Sequence, residues 1–524
     1  VNRVLYRESR TFGVGHGCSV DWADGRPKRV GQIWSDVLPV FETPTTSADL
    51  YLTGSDGQRA PLRVSMRLLA GLDAKDDGFE DIEKLIEEHR KWIQSLAAKA
   101  ESIDVASRPT ATALIEKSRV CADRILDGLT LLRESGPTAD KARKAFRLAN
   151  HAMLISQLRA RLSLRLPQRD SAGRIAWMPS ILKVEESEFN PSQGYWRPFQ
   201  IAFLLMSLRG ICDSAHKDRD AVDLIWFPTG GGKTEAYLGL TAFTVFFNAI
   251  SKVTGNGVDV LMRYTLRLLT AQQFQRAATL FCAMERLRCC DPDTLGLRPF
   301  TIGLWVGGAA TPNKRSDALA RLRALQKDPD AENPYVLLRC PWCAAKFGPL
   351  ESSGNAPKKS YGRAKGASTV PVYGYAKEKT SNGETVVYRC SDAECDFGGL
   401  PGSNTPPLPI VVIDEDLFDS PPNLLIGTVD KFAMLAWKPE ARSIFGLDQH
   451  GAHSGAPPTL IIQDELHLIS GPLGSMVGAY EMVIEALCVD PLGGMVKPKI
   501  IASTATISRA REQVSGLYAR KNVM

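Results

Sequence analysis

Apolar residues follow two different spacings in the first 190 residues of the chain. Residues 1–75 carry short apolar runs broken by Gly and Pro, as between 12 and 22, which is typical of a small strand-rich region. Residues 76–190 place apolar side chains three and four apart, and this spacing predicts helices with one buried face. The last of these helices is expected from about Ala139 to Leu164. We therefore predict a strand-rich N-terminal region at 1–75 and an N-terminal helical domain at 76–190.

The pattern changes after residue 190, where apolar runs of strand length alternate with helical stretches. Such alternation is typical of a parallel α/β sheet with helices on both faces. Between 328 and 409 the alternation stops in a segment rich in Gly, Pro, Ser and Lys. We therefore predict an α/β domain at 191–524 with an insertion at 328–409. Its strands are expected at Asp223–Phe227, Asp259–Tyr264, Phe300–Val306, Leu424–Val429, Thr459–Gln463 and Lys499–Ser503.

Composition places the chain among globular proteins. Its 524 residues are 44% hydrophobic and 23% charged, and no stretch approaches the roughly 18 apolar residues that a membrane-spanning helix needs. The start from Val1 to Arg10 is polar and basic, unlike a secretion signal, so we expect a cytoplasmic protein with no membrane partner and no disulfide framework. The net charge of +6 permits a basic groove but does not demonstrate nucleic-acid binding.

A glycine-rich segment joins the first predicted strand of the α/β domain to a helical stretch. Residues 227–234 read Phe-Pro-Thr-Gly-Gly-Gly-Lys-Thr, with Phe227 where the usual phosphate-loop pattern has Gly. Glycines let backbone N–H groups close around phosphate oxygens, a lysine can reach the β- and γ-phosphates, and a threonine hydroxyl can bind Mg²⁺. The alternative is a glycine-rich turn with a chance lysine. We favour an ATP site formed by Thr229, Gly230, Gly231, Gly232, Lys233 and Thr234.

Two predicted strands end in Asp-Glu, the pair that nucleotide hydrolysis needs to hold Mg²⁺ and to orient the attacking water. One pair is Asp414-Glu415 and the other is Asp464-Glu465. Because two prolines follow the first pair closely, that pair is more typical of a solvated turn. The second pair continues as Asp-Glu-Leu-His and precedes a further strand and Ser-Thr-Ala-Thr, so we predict that Asp464 binds Mg²⁺ together with Thr234.

Two polar side chains near these motifs have more than one interpretation. His467 is either an ordinary core histidine or the link between the nucleotide site and the DNA side that a DExH box provides, and we favour the link. Gln200 lies upstream of the glycine-rich segment and offers the donor and the acceptor that suit an adenine edge, although a structural glutamine would look the same. The predicted catalytic residues are Lys233, Asp464, Glu465 and His467.

Three further fragments stand in the order that helicase motifs have along a chain. Two of them end predicted strands, where hydroxyls and helix N-termini hold phosphates without reading bases. The third ends the last predicted strand and matches the motif that couples hydrolysis to movement. Each fragment alone is weak evidence for a helicase, and the prediction rests on the order of the three fragments along the chain. The predicted DNA-backbone residues are Arg263, Thr265, Gly427, Thr428 and Lys431. The predicted coupling residues are Ser503, Thr504, Ala505 and Thr506.

The insertion carries two close cysteine pairs, Cys340-Pro-Trp-Cys343 and Cys390-Ser-Asp-Ala-Glu-Cys395. Paired thiolates at this spacing are typical of structural zinc sites. The spacing does not separate zinc from an iron–sulfur cluster, and reduced cysteines without metal are the third alternative. We predict a zinc module, which also explains why Lys233 and Asp464 are so far apart along the chain.

Together these motifs resemble the first RecA-like domain of superfamily 2 DExH helicases. More specific runs resemble the DrmA family, the helicase subunits of bacterial DISARM anti-phage systems. That resemblance rests on residues 12–18 with Asp21-Trp22, on 227–236, on 427–432 and on 464–474. It implies an ATP-dependent DNA translocase of a bacterial restriction system that contacts the DNA backbone, on strands at least partly single, and works with a partner named DrmB. Its cofactors would be ATP, Mg²⁺ and structural Zn²⁺.

The resemblance also implies a second RecA-like domain with an arginine finger. The sequence ends soon after Thr506, so we expect this chain to lack that domain and, by itself, to bind nucleotide but hydrolyse it poorly. Two other functions fit the same motifs. One is a superfamily 2 DNA-repair helicase with a zinc module, and the other is a nucleic-acid-binding regulator switched by nucleotide.

Overall fold

The computed structural model describes most of the chain. The described residues are 4, 12–23, 29–36, 47–53, 57–73, 76–169, 175–181, 193–227, 231–253, 255, 257–265, 267–308, 310–349, 370–399, 405–489, 496–504, 509–521 and 523. Contacts divide the chain into two compact units, Val1–Leu62 with Glu83–Arg124 and Arg63–Ile82 with Ile125–Met524. The domain boundaries at 75 and 190 stay predictions.

The helices of the described residues are numbered here in chain order. They are α1 (Met66–Leu69), α2 (Phe79–Glu101), α3 (Arg108–Arg133), α4 (Pro137–Arg159), α5 (Pro198–Cys212), α6 (Lys233–Ile250), α7 (Arg267–Cys290), α8 (Pro292–Leu295), α9 (Arg315–Lys327), α10 (Asp414–Asp419), α11 (Val429–Phe432), α12 (Gly471–Leu487) and α13 (Ala510–Tyr518). Short 3₁₀ turns occupy Lys217–Arg219, Ala433–Ala436, Pro439–Phe445 and Leu466–Leu468. Helices α2, α3 and α4 confirm the three predicted helices, although the third ends at Arg159 rather than near Leu164.

The strands are numbered in the same way. They are β1 (Ser19–Trp22), β2 (Ile33–Asp36), β3 (Tyr51–Thr53), β4 (Arg59–Pro61), β5 (Val64–Ser65), β6 (Leu166–Arg169), β7 (Ile175–Met178), β8 (Tyr195–Trp196), β9 (Val222–Trp226), β10 (Val260–Tyr264), β11 (Ile302–Trp305), β12 (Gly348–Pro349), β13 (Val372–Tyr373), β14 (Tyr375–Thr380), β15 (Gly383–Tyr388), β16 (Ile410–Val411), β17 (Leu424–Thr428), β18 (Leu460–Gln463) and β19 (Lys499–Thr504).

A seven-stranded parallel sheet forms the centre of the second unit, in the order β16-β11-β17-β10-β18-β19-β9. Each neighbouring pair is parallel, with registers such as Met262 beside Ile462 and Leu304 beside Ile426. Every residue of β10, β17, β18 and β19 is buried, as expected for a parallel sheet covered on both faces. The sheet confirms the predicted α/β class, and all six predicted strands belong to it.

Helix α6 passes through the core beside this sheet, with apolar side chains around most of its circumference. Helices α4, α5 and α7 pack against it. Thus the third helix predicted from residues 139–164 packs directly on the helices that cover the sheet. The whole of α4 belongs to the second unit.

The segment between β11 and β17 holds the predicted insertion. It contains two antiparallel pairs, β12 with β13 and β14 with β15, and residues 350–369 lie outside the described part. Tyr335, Tyr375 and Tyr388 form its small aromatic core, with ring centroids 4.2–6.2 Å apart. Among the described residues, none of the helices is both long and apolar enough to span a bilayer.

Candidate functional site

The turn between β9 and α6 requires glycine at its last position. Gly232 has φ of +94°, a left-handed conformation that side chains rarely adopt. A Cβ atom there would also lie 2.8 Å from Nε2 of Gln200, too close for any neighbour. Because Gly232 has no side chain, the backbone of the turn can approach Gln200 closely. Of the predicted ATP-binding residues, Thr229 and Gly230 lie outside the described residues.

Lys233 and Thr234 are the first two residues of α6, and both are buried. The Lys233 ammonium donates a hydrogen bond of 3.0 Å to the carbonyl of Phe227, across the turn. The N-terminus of this long helix favours negative charge because its first backbone N–H groups have no partner within the helix. The turn, the ammonium and the Thr234 hydroxyl thus form a place suited to phosphate.

Gln200 joins helix α5 to this turn. Its amide oxygen accepts a hydrogen bond of 2.9 Å from the Arg197 backbone, and its Nε2 donates one of 2.8 Å to the Gly232 carbonyl. Arg197 itself donates to the Gly231 carbonyl at 2.8 Å. An amide has two donor hydrogens and an acceptor oxygen with two lone pairs, so Gln200 retains one of each for a ligand.

Asp464 follows β18 and is held by neutral donors. Its Oδ1 accepts hydrogen bonds from the Tyr237 hydroxyl and the Glu465 backbone, each at 3.0 Å, and from the Ser503 hydroxyl. Burial, and next the charge of Asp464, raise the pKa of Tyr237 well above its usual value, so Tyr237 remains a neutral donor. These three hydrogen bonds therefore fix the orientation of the Asp464 carboxylate, and none of the three donors is a cation.

Glu465 has an unusual backbone conformation and a carboxylate oxygen in need of a partner. Its φ of +48° is left-handed, which is uncommon for a residue other than glycine. Its Oε2 is buried and has no hydrogen-bond partner among the described residues, although His467 Nδ1 lies 3.3 Å away. The same His467 nitrogen lies 3.2 Å from the Thr504 hydroxyl. His467 Nδ1 thus lies between Glu465, just after β18, and the Thr504 hydroxyl at the end of β19. The other two predicted coupling residues, Ala505 and Thr506, lie outside the described residues.

A cleft of about 550 Å³ lies between the start of α6 and the end of β18, and neither His467 nor Thr504 is among the residues that line it. Six predicted residues form its wall: Gln200, Gly232, Lys233, Thr234, Asp464 and Glu465. A cleft of this size is within the range of nucleotide and other small-molecule sites. The strand ends of β9 and β18 place these residues together because carboxyl ends of parallel strands meet at one edge of a sheet.

Several lining residues were missed in the sequence. Tyr237 stands four positions after Lys233, on the same face of α6, and that helical spacing could have found it. Arg161 and Arg276 contribute two further arginines to the cleft, and Arg276 pairs with Glu235. Arg161 comes from just beyond α4, which no motif joins to the nucleotide site, so only the three-dimensional packing reveals it.

The predicted DNA-backbone residues lie at or just after the carboxyl ends of β10 and β17 and do not line this cleft. One of them is fully enclosed. Arg263 is 1% exposed, and its guanidinium pairs with buried Glu481 of α12. Burial raises the pKa of Glu481, and the arginine beside it opposes that rise. In this conformation Arg263 presents no surface to a nucleic acid. Thr265 is half-buried just after β10.

The other three predicted DNA residues, Gly427, Thr428 and Lys431, end β17 and begin α11. The Lys431 ammonium lies 3.5 Å from Oδ2 of Asp414, and the Lys438 ammonium lies 3.4 Å from the same oxygen. Asp414 is 1% exposed and begins helix α10. The expectation of a solvated turn at Asp414 is therefore wrong, because two lysines far along the chain enclose its carboxylate.

The four cysteines of the insertion come together. The sulfur atoms of Cys340, Cys343, Cys390 and Cys395 all lie within 4.8 Å of one another, and all four residues are buried. A tetrahedral zinc site with Zn–S bonds of about 2.3 Å needs sulfur atoms about 3.8 Å apart. Burial raises the pKa of the Cys340 thiol, whereas hydrogen bonds from the neighbouring cysteines lower the pKa of Cys343, and a bound cation would hold all four as thiolates. This cluster could hold a structural zinc ion.

Two arginines attach the cysteine module to the end of α4. The Arg159 guanidinium lies 3.5 Å from the centre of the Trp342 ring and donates a hydrogen bond of 2.8 Å to the Trp342 carbonyl. Arg165 forms a buried ion pair of 2.7 Å with Asp392. Between these arginines lies Arg161, which lines the cleft. One short segment therefore contacts both the cysteine module and the candidate nucleotide site.

Comparison with known proteins gives one extensive similarity. The chain is 31% identical to the DISARM protein DrmA of Bacillus paralicheniformis over 560 aligned residues, which cover 99% of this chain and 46% of that relative. It therefore spans about half of the curated relative's length. The crystal structure of the DUF1998 helicase MrfA is also similar, at 13% identity and a TM-score of 0.29, covering 64% of this chain and 30% of that one. No protein-family model matches the chain.

Proposed function

We propose that this chain, which belongs to the family of the DISARM protein DrmA, is the nucleotide-binding RecA-like domain of a superfamily 2 helicase. The observation that carries the proposal is the cleft, where Lys233 and Thr234 at a helix N-terminus face Asp464 and Glu465 at a strand end. A phosphate-binding turn opposite paired carboxylates is the arrangement that ATP hydrolysis requires.

The residues of the cleft fit ATP with Mg²⁺. The Asp464 carboxylate accepts hydrogen bonds from three neutral donors, and Thr234 adds a hydroxyl oxygen. These two would hold Mg²⁺, which when bound neutralises charge on the phosphates. Lys233 exchanges the Phe227 carbonyl for a phosphate oxygen. Glu465, whose Oε2 lacks a hydrogen-bond partner among the described residues, orients the attacking water and accepts its proton.

The bridge from Glu465 through His467 to Thr504 supports a role in coupling. Both contacts of the His467 ring use Nδ1, at 3.3 Å from Glu465 and 3.2 Å from Thr504. A single ring nitrogen cannot serve both partners fully, so a change at Glu465 during hydrolysis alters the contact with β19. Hydrolysis would in this way change the contact between His467 and the end of β19.

For the whole protein we propose ATP-dependent translocation on DNA within a DISARM-like defence system, with a DrmB partner. The proposal rests on the sequence similarity, which covers about half of the relative. A zinc ion in the cysteine cluster would stabilise the insertion. The predicted arginine finger would be supplied from outside the residues that line the cleft.

The test measures ATP hydrolysis by the full-length protein with and without single-stranded DNA. We expect DNA to stimulate hydrolysis, and Lys233→Ala to abolish it because the phosphates lose their cation. Absence of stimulation by any nucleic acid would contradict the motor. If ATP then only altered DNA affinity, the protein would be a nucleotide-switched regulator instead. Activity that survives in Lys233→Ala would place hydrolysis outside this cleft.

A further inference from the structure

One arginine of the cleft comes from outside the α/β sheet and its motifs. Arg161 lies two residues beyond the end of α4, and its exposed side chain lines the cleft together with Lys233 and Asp464. Within the part of the chain that the structure describes, its guanidinium has no hydrogen-bond or ion-pair partner. The N–H donors of this guanidinium are therefore available to a ligand that enters the cleft.

The other arginines of the cleft already have partners. Arg276 pairs with Glu235, and Arg197 donates a hydrogen bond of 2.8 Å to the Gly231 carbonyl. Four cationic side chains line the cleft against three carboxylates, so its wall carries an excess of positive charge before any ligand enters. This balance suits a ligand with several negative charges, and Arg161 is the arginine whose contacts within the described chain leave it available.

The backbone next to Arg161 is fixed by the cysteine module. The Leu162 carbonyl accepts a hydrogen bond of 3.3 Å from the Arg339 guanidinium. The backbone N–H of Arg165 donates one of 3.0 Å to the Ala344 carbonyl. With the arginine contacts to this module described above, the segment is held on both sides of the cleft-lining residue. A side chain on a backbone that is already ordered loses less conformational freedom when it binds a ligand.

We propose that Arg161 binds a phosphate group of the nucleotide in the cleft. The inference rests on the proposed function and adds to it a phosphate-binding residue from the segment that follows α4. A guanidinium remains charged and offers paired N–H donors that match two oxygens of one phosphate. The adenine edge has a different candidate in Gln200, which retains one donor and one acceptor. Arg161 is thus a second cation for the phosphates, beside Lys233.

The experiment measures how ATP and inorganic triphosphate, each with Mg²⁺, displace a fluorescent ATP analogue from the full-length protein. Inorganic triphosphate carries the phosphates of ATP without the base or the sugar. We expect Arg161→Ala to weaken binding of both competitors about tenfold, because a charged hydrogen bond to phosphate is lost. Arg161→Lys keeps the charge but not the paired donors, and should weaken both about threefold.

Two controls accompany these variants. Arg323→Ala removes an exposed arginine of α9 that does not line the cleft, and should bind both competitors like the wild type. Denaturant unfolding of Arg161→Ala should match that of the wild type, because the side chain is exposed. A lowered stability would instead assign Arg161 a structural role and would overturn the proposal.

Wild-type affinity of Arg161→Ala for both competitors would remove the phosphate contact and leave the proposed function intact. A loss confined to ATP would also overturn the proposal, since Arg161 would then contact the base or the sugar. If ATP displaced the analogue from the wild type but inorganic triphosphate did not, phosphate contacts would contribute little and the proposal would fall. A wild type that binds neither ATP nor the analogue overturns both this proposal and the proposed function.

Discussion

Two strand ends in this molecule carry the same residues, Asp-Glu, and they have opposite surroundings. After β18, Asp464 accepts hydrogen bonds from two hydroxyls and a backbone N–H, all of them neutral. After β16, Asp414 lies against the ammonium groups of Lys431 and Lys438. Only the first carboxylate is oriented yet uncompensated in charge, which is the condition for binding a divalent cation. The second is already neutralised and serves the structure.

The glutamates differ in the same way. Glu465 has a buried oxygen in the cleft without a hydrogen-bond partner among the described residues. Glu415 instead accepts a hydrogen bond of 2.9 Å from the Arg315 backbone, at the start of α9. The two pairs are both Asp-Glu, so their own residues do not show which pair binds Mg²⁺. The distinction lies in what the rest of the chain places around them.

The largest expected effect separates the two glutamates. Glu465→Gln should lower the rate of ATP hydrolysis by about 10²–10⁴-fold, because the general base is lost, while leaving ATP binding intact. Glu415→Gln keeps an amide oxygen for the Arg315 N–H and should hydrolyse ATP at the wild-type rate. Steady-state hydrolysis and nucleotide binding of the full-length protein measure both. Normal turnover in Glu465→Gln would move the catalytic role to Asp414-Glu415.

The aspartates should differ in stability. Asp414→Asn leaves two ammonium groups without their carboxylate and should lower the free energy of unfolding by about 2–3 kcal/mol, less than for a fully buried pair because Lys438 is partly exposed. Asp464→Asn keeps an oxygen for its neutral donors and should cost less than about 1 kcal/mol. Denaturant unfolding of the two variants makes the comparison. A larger loss in Asp464→Asn would contradict the structural role of Asp414.

Disruption of the cysteine cluster should reach the nucleotide cleft through α4. Cys340→Ser combined with Cys343→Ser should remove bound zinc and weaken ATP binding roughly five- to tenfold, because Arg159 and Arg165 hold Arg161 next to the cleft. Cys289→Ser with Cys290→Ser, two exposed cysteines, is the matched control. Metal analysis and nucleotide titration are the measurements. Unchanged metal content would reject the cluster, and unchanged affinity would reject the connection.

The smallest effect concerns the orientation of Asp464. Tyr237→Phe removes one of its hydroxyl donors and should lower ATP hydrolysis about three- to tenfold, with more Mg²⁺ needed for half-maximal rate. Tyr335→Phe removes a buried hydroxyl that donates to the Ala318 carbonyl at 2.9 Å, away from the cleft, so it should change neither quantity. If both variants behaved alike, the Tyr237 hydroxyl would have no role in orienting Asp464.

Local pattern was sufficient for much of the fold. Apolar runs predicted the six strands because a parallel sheet buries both faces, and glycine spacing with Lys233 predicted the turn at Gly232. Close cysteine pairs predicted the cluster, since two such pairs need only the chain between them to fold back. These features depend on residues near one another in sequence or on a simple closure of the chain.

Other features depend on distant packing and were not predictable. A motif placed Arg263 at a strand end, but only tertiary structure shows that its side chain points inward to Glu481. The two prolines that follow Asp414 favour a solvated turn, and nothing nearby in sequence indicates that Lys431 and Lys438 enclose it. The arrival of Arg161 in the cleft depends on how α4 packs against α6 and α7.

The most direct test of the central claim is the effect of Mg²⁺ on ATP affinity in Asp464→Asn and Asp414→Asn. Binding of a fluorescent ATP analogue to the full-length protein would be titrated with and without Mg²⁺. We expect Mg²⁺ to strengthen binding in the wild type and in Asp414→Asn, and to have little effect in Asp464→Asn. Retention of the Mg²⁺ effect in Asp464→Asn, with its loss in Asp414→Asn, would contradict the account and exchange the roles of the two strand ends.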